Sequence, residues 1–333
     1  MNLRTSLLAT LLGVSTATAA PVTDKDRFVV DGHAVTATLV ADSTKIIVGE
    51  PVMLEVRIAN ETADAMYIVS SPDRNGAPDS FAVKVVGPDG SVPAIPAGPM
   101  AGNGPTGATT LPAKGTHVAR LLLSEWATID KPGRYTITVD KTLRLGLGRG
   151  DGWNTTSTKH PTHLRLAVDV GPSTPAQLGA VIDRLGTKML AANDDDGGSL
   201  AEALASIRDA RVVPYFVKAV ALSDWGRQFV AIRALGAYGT TESLAALERA
   251  LAIPGNGRIS AAQSIAEHKT AAGMKILWAL RTDQDASLRL EVVHALAELN
   301  PPDVVARLTE MSRDKSAMVS GEAKRYLAER KKP

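Results

Sequence analysis

Residues 227–251 read RQFVAIRALGAYGTTESLAALERAL. The pattern of this stretch returns every 31 residues through the C-terminal part of the chain, from Leu204 to Arg330. One column of residues marks the start of each unit: Arg227, Arg258, Arg289 and Ser320. Two apolar columns run beside it: Val230, Ala261, Val292 and Ala323, then Ala234, Ile265, Leu296 and Leu327. A fixed period of this length predicts stacked units that bury their hydrophobic faces against one another.

Each unit reads as two helices. In the unit quoted above, a first helix covers 227–238 and ends at Gly239, a residue suited to a helix C-terminus. A second helix begins at Thr241 and runs to Leu251, with Leu244 and Leu247 on its inward face. The pattern therefore predicts a C-terminal α-solenoid of helical hairpins over residues 199–330.

These residues also carry a family resemblance. The stretch ALGAYG at 234–239, followed by ESLAAL at 242–247, resembles the HEAT repeat, in particular the short variety found in phycobilisome-lyase-type proteins. The resemblance implies about four HEAT-like units. It implies an architecture and not a reaction, so the bilin chemistry of that family name is not carried over.

The N-terminal half has a different pattern. From residue 22 to 170 it shows short alternating runs separated by Gly, Pro, Asn and Asp, which is typical of half-buried antiparallel strands. The runs are 35–40, 52–59, 66–69, 81–86, 117–123, 134–139 and 163–170. We predict an antiparallel β-sandwich here. Residues 48–60 resemble early strands of bacterial immunoglobulin-like modules, and Lys131 to Val139 resembles their last strand.

The first 19 residues have the features of a signal peptide. Arg4 gives a positive start, Leu7 to Val14 is a short apolar run, and Ala17-Thr18-Ala19 supplies a small-x-small cleavage pattern. The chain has no cysteine, so it forms no disulfide and no acylated cysteine anchor. We therefore expect a protein that is soluble after cleavage and lies in the periplasm or outside the cell.

Charge and composition argue against two classes of partner. Lys and Arg number 37 against 35 Asp and Glu, a net charge of +2, which is not the strongly basic balance of a nucleic-acid-binding protein. No later segment is apolar over the ~20 residues that a membrane-spanning helix needs. We therefore expect neither nucleic acid nor an integral membrane segment, and a protein or peptide as the partner.

Residues 171–198 are predicted to be a linker with a first helix, which begins at Gln177. An acidic run, Asn193 to Asp196, is followed by two glycines. Its carboxylates allow a calcium loop, but the alternating spacing of such loops is missing. An acidic linker with Ser199 capping the next helix is the simpler interpretation.

Two loops are candidates for contacts. The stretch from Ala94 to Gly115 is rich in Pro, Gly, Thr and Ala and is expected to form a long loop, either for binding or for crossing between strands. Residues 146–154 hold four glycines and Trp153, which we expect at a rim turn as a contact residue.

Evidence for catalysis is weak. His160 and His163 are the only closely spaced histidines. A metal site would need a third ligand, for which Asp151 is the nearest acidic residue, and the two histidines are weak candidates because no helix sets the ligand angle. His268 and His294 are expected to be exposed or capped. No nucleophile elbow, Walker loop or dinucleotide fingerprint occurs, so we predict no catalytic residue and no cofactor.

The repeated arginines have two interpretations. Arg227, Arg258 and Arg289 could form a row of cations that binds a partner. Alternatively, each could pair with a nearby acidic residue, such as Asp224 before Arg227 or Asp285 before Arg289, and align the units. The second interpretation is favoured, because such pairs are common on helical repeats.

The leading functional prediction is an exported, non-enzymatic binding or scaffolding protein whose solenoid surface holds a protein or peptide. One alternative is an inhibitor or accessory module of an exported enzyme, acting through loops of the β-sandwich. A second alternative is a hydrolase or metal-dependent enzyme with a dispersed site.

Overall fold

A computed structural model describes residues 25–70, 81–94, 107–147 and 157–330. The expected signal peptide and Trp153 lie outside these residues. A β-sheet region comes first and a helical region follows. The strands are β1 (Lys25–Val30), β2 (His33–Ala41), β3 (Lys45–Ile47), β4 (Met53–Asn60), β5 (Met66–Ser70), β6 (Ala82–Val86), β7 (Gly107–Leu111), β8 (Thr116–Leu122), β9 (Gly133–Leu147) and β10 (Thr158–Gly171).

The strands form two open sheets that share one hydrophobic core. One sheet has the order β1-β2-β4-β8, and the other has the order β3-β10-β9-β5-β7, with β6 also pairing with β9. Leu39 and Leu54 of the first sheet and Ile137 and Leu166 of the second belong to the same buried cluster. Apolar residues at alternate positions supply this core, as the period-two pattern predicts.

The long strand β9 organises the second sheet. Its first half pairs with β6 and its end pairs with β5, while β10 runs antiparallel along nearly its full length. The Lys131 to Val139 stretch, expected to resemble a last strand, therefore begins the next-to-last one. Gly133 starts β9 at a φ of 143°, and a Cβ there would lie 2.5 Å from the Pro88 ring, so glycine is required at this turn.

Three strands were not predicted from the sequence. β1 was not among the predicted runs, β3 has only three residues, and β7 lies inside the stretch from Ala94 to Gly115 that was expected to be a loop. Residues 95–106 of that stretch lie outside the described residues, but 107–111 pair with β5. The strand contains Gly107, two threonines and one buried leucine, Leu111, so its place depends on pairing and not on a hydrophobic pattern.

The helices follow directly. They are α1 (Pro175–Ala191), α2 (Asp194–Ala205), α3 (Val213–Ala219), α4 (Trp225–Gly236), α5 (Thr241–Ala250), α6 (Asn256–Glu267), α7 (Ala271–Ala279), α8 (Ala286–Leu299), α9 (Val304–Met311) and α10 (Ala317–Glu329). No helix in the described ranges has the length and apolar content to span a membrane.

The acidic run is helical and not a linker. Asn193 caps α2, because its side chain accepts a hydrogen bond from the Asp196 N–H at 3.0 Å. The prediction that Ser199 caps this helix is wrong, since Ser199 lies within α2. Asn193 is a strong cap and acidic residues stabilise a first helical turn, which explains why the helix starts earlier than its apolar pattern.

The even-numbered helices stack in order. α2 packs on α4, α4 on α6, α6 on α8 and α8 on α10, and the odd-numbered helices contact one another less extensively. The predicted apolar columns lie in this stack: Ala261, Val292 and Ala323 are buried, as are Ile265 and Leu296. One continuous cluster connects α1 to α10. The 31-residue period is therefore the period of the helix stack.

The two regions meet at a junction of polar and apolar contacts. Arg184 of α1 pairs with Glu50, which follows β3, and Arg120 of β8 pairs with Asp196 of α2 at 2.8 Å. Gly49, at a φ of 86°, faces Leu178 of α1. Ile47 packs against the helical core. We call these contacts the junction.

Candidate functional site

The repeated arginines are the first sequence candidates. Arg289 is buried, with 3% of its surface exposed, and donates to both Asp314 oxygens at 2.7 and 2.9 Å. It also donates to the carbonyls of Asp283 and Gln284. The hydrogen bond from Arg289 lowers the pKa of the Asp314 carboxyl. The guanidinium is thus fully engaged between α8 and the start of α10.

Arg258 makes the equivalent contact one unit earlier. It donates to the Leu251 carbonyl at 2.8 Å and to Asp283 at 2.5 Å. Burial acts to raise the pKa of Asp283, but hydrogen bonds from the Asp285 N–H and from Arg258 outweigh it, and that pKa is lowered. In both units the arginine reaches an aspartate 25 residues later in the chain. The side chain of Arg258 keeps 29% of its surface exposed.

Arg227 departs from this pattern. The position 25 residues later is Ala252, and Arg227 instead pairs with Asp224 at 2.7 Å. It also donates to the Ala192 carbonyl at 2.8 Å, which joins the end of α1 to α4. The Asp224 pair is the one expected from the sequence. Asp285, by contrast, caps α8 through the Ser287 N–H, and the carboxylate partner of Arg289 is Asp314.

These contacts limit what the arginines can offer a partner. Arg227 and Arg289 are buried and hydrogen-bonded, so binding through either one would require breaking contacts between units. Arg258 alone of the three retains substantial exposed surface. Alignment of the units accounts for the geometry of all three.

The two clustered histidines do not converge. His160 and His163 are three residues apart on β10, so their side chains leave opposite faces of the sheet. His160 stacks on Phe28 with ring centroids 4.9 Å apart, and His163 is 2.6 Å from Asp140. Within the described ranges, no group of three or more His, Cys, Asp and Glu residues could hold a metal ion.

His268 is buried and not exposed, and it is the C-cap residue of α6. Its Nε2 lies 3.1 Å from the Leu235 carbonyl, so Nε2 carries the proton and donates. Nδ1 is buried without a hydrogen-bond partner. Its position among α4, α5 and α6, with contacts to Leu235 and Ser243, indicates a structural role. His294, in contrast, is partly exposed.

An exposed tryptophan and a half-buried phenylalanine form an aromatic pair at the start of α4. Trp225 keeps 46% of its surface exposed and packs against Phe229, with ring centroids 5.5 Å apart and the ring planes tilted by 34°. Arg233 lies over the Phe229 ring, with its guanidinium carbon 5.8 Å from the centroid. Trp225, Phe229 and Arg233 are four residues apart and so share one face of the helix. We call these three residues the aromatic patch.

A row of polar side chains crosses α6, α8 and α10. Gln263 donates to Glu291 at 3.1 Å, and His294 lies 3.7 Å from both Glu291 and Glu322. Arg325 then pairs with Glu322 and lies over the Tyr326 ring. The hydrogen bond from Arg325 lowers the pKa of the Glu322 carboxyl. We call this chain of contacts the polar row.

The aromatic patch was not predicted from the sequence, although the spacing of its three residues indicates a shared helix face. Trp225, Phe229 and Arg233 have the i, i+4 and i+8 spacing of one helix face. In a chain with only 4% aromatic residues, two of them on one exposed face are a recognisable feature. The 31-residue columns drew attention to the buried side of the same helix.

One comparison with known protein families matches the helical region. The sequence model of the HEAT-repeat family matches residues 187–266 and 273–333. No curated protein matches the chain. The chain is similar to two engineered proteins of known structure. The first is 22% identical over 47% of this chain and 83% of that protein, with a TM-score of 0.33. The second is 21% identical over 48% of this chain and 51% of that protein, with a TM-score of 0.32.

Proposed function

Because the C-terminal half of the chain carries HEAT repeats, we propose that this protein is an exported binding or scaffolding protein that holds a protein or peptide partner on its helical region. The aromatic patch on α4 is the observation that carries the proposal. The partner would bury Trp225 and Phe229, and the polar row would extend the contact along the stack.

The continuous stack of even-numbered helices supports this choice of surface. The even-numbered helices pack on one another more extensively than the odd-numbered helices do. Stacked helical repeats offer extended surfaces along which a partner can bind. The aromatic patch and the polar row both lie on even-numbered helices.

The energetics of an exposed aromatic pair also favour a partner. Trp225 retains nearly half of its surface in water, and burying large aromatic area is strongly favourable. Tryptophan, tyrosine and arginine are the residues most enriched among those that dominate binding energy. The surface has such residues at both ends of the stack: Trp225 and Arg233 on α4, and Arg325 and Tyr326 on α10.

We propose further that the β-sheet region is an immunoglobulin-like sandwich. The neighbours β2-β4-β8 in one sheet and β6-β9-β10 in the other correspond to strands A-B-E and C-F-G of that fold. Tyr135, at the start of β9, donates its hydroxyl to the Lys131 carbonyl at 2.9 Å, as a tyrosine corner does. Ile137, two residues later, stands in place of the usual cysteine.

Export is proposed from the sequence of the first 19 residues. The positive start, apolar run and small-x-small site are those of a secretory signal. A chain without cysteine needs no oxidant to fold outside the cytoplasm. N-terminal sequencing of the mature protein would test this, with cleavage expected after Ala19; retention of Met1 would contradict it.

The binding proposal is tested with Trp225→Ala. The tagged protein is used to capture partners from the periplasmic fraction of its own cells, and the recovered proteins are quantified. We expect a specific partner to be recovered by the unchanged protein and lost with Trp225→Ala, because the variant removes the anchor of the aromatic patch.

Val305→Ala is the matched control. Val305 is an exposed apolar residue of α9, in the odd-numbered layer, so its truncation removes apolar surface away from the aromatic patch. The partner should be retained by this variant. Recovery of the same partners by Trp225→Ala and by the unchanged protein would contradict the proposal.

A further inference from the structure

A cleft of about 440 Å³ opens at the junction between the sheets and the first helices. Its apolar lining comes from both regions: Val52, Leu123, Ala127, Ile129, Leu178 and Ile207. Its polar lining comprises Glu50, Ser124, Thr128, Ser206 and Arg208. The volume is within the range of small-molecule sites, which occur preferentially between domains and combine apolar walls with a few polar groups.

Arg208 differs from the other arginines at the junction. Arg184 pairs with Glu50, Arg120 pairs with Glu55 and Asp196, and Arg211 pairs with Asp209. Among the described residues, the side chain of Arg208 forms no ion pair or hydrogen bond. The cleft therefore has a cation without a counter-charge.

The nearby carboxylates are already engaged, so they do not neutralise Arg208. Both Asp209 oxygens accept hydrogen bonds from Arg211, and this contact lowers the pKa of Asp209 to about 2. Glu50 accepts from Arg184 through one oxygen and from the Ile47 N–H through the other. A ligand that enters the cleft meets an uncompensated positive charge beside an apolar wall.

Two hydroxyl groups add hydrogen-bond donors to the cleft beside the Arg208 guanidinium. In the described structure, Ser124 and Thr128 make no side-chain hydrogen bond, so each hydroxyl has a proton to donate. Two hydroxyl donors and a guanidinium are suited to a carboxylate, which accepts hydrogen bonds only.

We infer that this cleft binds an organic carboxylate with an apolar body, its carboxylate on Arg208 and its apolar part against Leu123, Leu178 and Ile207. Two sources share this chemistry: a fatty acid, and the C-terminal residue of an apolar peptide. The site is separate from the aromatic patch and does not depend on the binding function proposed for it.

The experiment is isothermal titration calorimetry on the full chain with two acids and their neutral amides. The acids are octanoate and N-acetyl-leucyl-leucine; the amides are octanamide and the C-terminal amide of the same peptide. We expect at least one acid to bind at one site per chain and its amide to bind at least about tenfold more weakly, because the charged contact to Arg208 is lost. The acid that binds more tightly identifies the source.

Two variants test the site and a third serves as control. Arg208→Gln should weaken acid binding at least about tenfold and bring it near that of the amide. Ala205→Leu, which fills the cleft from the end of α2, should weaken acid and amide alike. Arg313→Gln removes an exposed charge after α9 and should leave binding unchanged. Thermal unfolding of each variant confirms folding.

Three results would overturn the inference. These are the absence of binding by both acids, equal binding of an acid and its amide, and unchanged affinity of the acid for Arg208→Gln.

Discussion

Arg289 and Arg325 carry the same charge on neighbouring helices, and they differ in their surroundings. Arg289 is buried and donates to Asp314 through two nitrogens, while Arg325 pairs with two glutamates at the surface of α10. Exposed ion pairs contribute little to stability because water already solvates both charges. A buried pair is different, since removing one partner leaves the other charge without solvent or counter-charge.

We therefore predict that Arg289→Ala is strongly destabilising. Loss of the guanidinium leaves the Asp314 carboxylate buried, and the expected decrease in unfolding free energy is about 3 kcal/mol or more. Urea denaturation measures it. Arg325→Ala is the matched control and should have a much smaller effect. Equal losses for the two variants would contradict the role assigned to burial.

The same pair predicts a pH dependence. The hydrogen bond from Arg289 lowers the pKa of Asp314 below its ordinary value of 3.8. A carboxyl with a lowered folded-state pKa contributes stability that is present above its unfolded pKa and lost as the pH falls through its folded pKa. We expect the stability difference between the unchanged protein and Asp314→Asn to be constant near neutral pH.

That difference should shrink as the pH falls below about 4. Denaturation curves at a series of pH values between about 7 and 2 measure it. A difference that stays constant down to the lowest pH would show that the Asp314 charge does not stabilise the fold.

At the scale of residues, the sequence predicted that the repeated arginines form ion pairs, but it did not predict every acidic partner. It indicated that the repeated arginines align the units, and Arg227 does pair with Asp224. It could not indicate Asp314 as the partner of Arg289, because a separation of 25 residues becomes a contact only after two hairpins have stacked. Nor could the sequence indicate that Arg208 lacks an ion-pair partner, because this depends on Asp209 and Glu50 pairing with other arginines.

At the scale of elements, the packing of α1 against α3 depends on a small residue in α1. Gly186 lies under the ring of Tyr215, and a Cβ at this position would come within 2.2 Å of that ring. Tyr215 is held by a 2.8 Å hydrogen bond from its hydroxyl to Asp183. The small residue therefore lets α1 and α3 pack against each other.

We predict that Gly186→Ala destabilises the protein although alanine favours helix. The clash should cost about 1–3 kcal/mol, which outweighs the gain of up to about 1 kcal/mol in helix propensity. Gly321→Ala on α10 is the matched control, because nothing lies within 4 Å of its Cβ position. It should raise the unfolding free energy by up to about 1 kcal/mol. Thermal and urea unfolding measure both, and a stabilised Gly186→Ala would contradict the prediction.

The elements that the sequence predicted are those with a strong period. The 31-residue columns indicated helices that the structure contains, and the HEAT resemblance is confirmed by the family match. The alternating runs indicated β2, β4, β5, β6, β8, β9 and β10. β7 was not predicted, because its sequence Gly-Ala-Thr-Thr-Leu has almost no hydrophobic pattern and the strand depends on β5 for its hydrogen bonds. The first turn of α2 was not predicted to be helical, because its sequence is acidic and has no apolar periodicity.

At the scale of the whole molecule, the junction sets how the two regions are held together. Its apolar contacts include Leu178 beside Gly49 and Ile47 on the helical core. Partly polar interfaces between domains leave the domains free to move unless specific contacts fix them. The pairs Arg184–Glu50 and Arg120–Asp196 are the specific contacts at this junction, and the carboxylate cleft lies beside them.

We predict that the double variant Glu50→Gln with Asp196→Asn loosens the junction while both regions stay folded. Each substitution keeps the shape of the side chain and removes the charge that its arginine pairs with. The absence of native cysteine lets two spin labels be attached at chosen sites, and Lys84 on β6 and Lys275 on α7 are both exposed. Pulsed electron paramagnetic resonance then gives the distribution of distances between them.

The distribution should broaden in the double variant, because the remaining apolar contact permits more than one angle between the regions. Glu61→Gln is the control: Glu61 pairs with Lys25 and Arg27 inside the β-sheet region, so its loss removes a comparable charge without touching the junction. The control should keep the narrow distribution of the unchanged protein. Equal widths in all three proteins would show that the two ion pairs do not fix the angle.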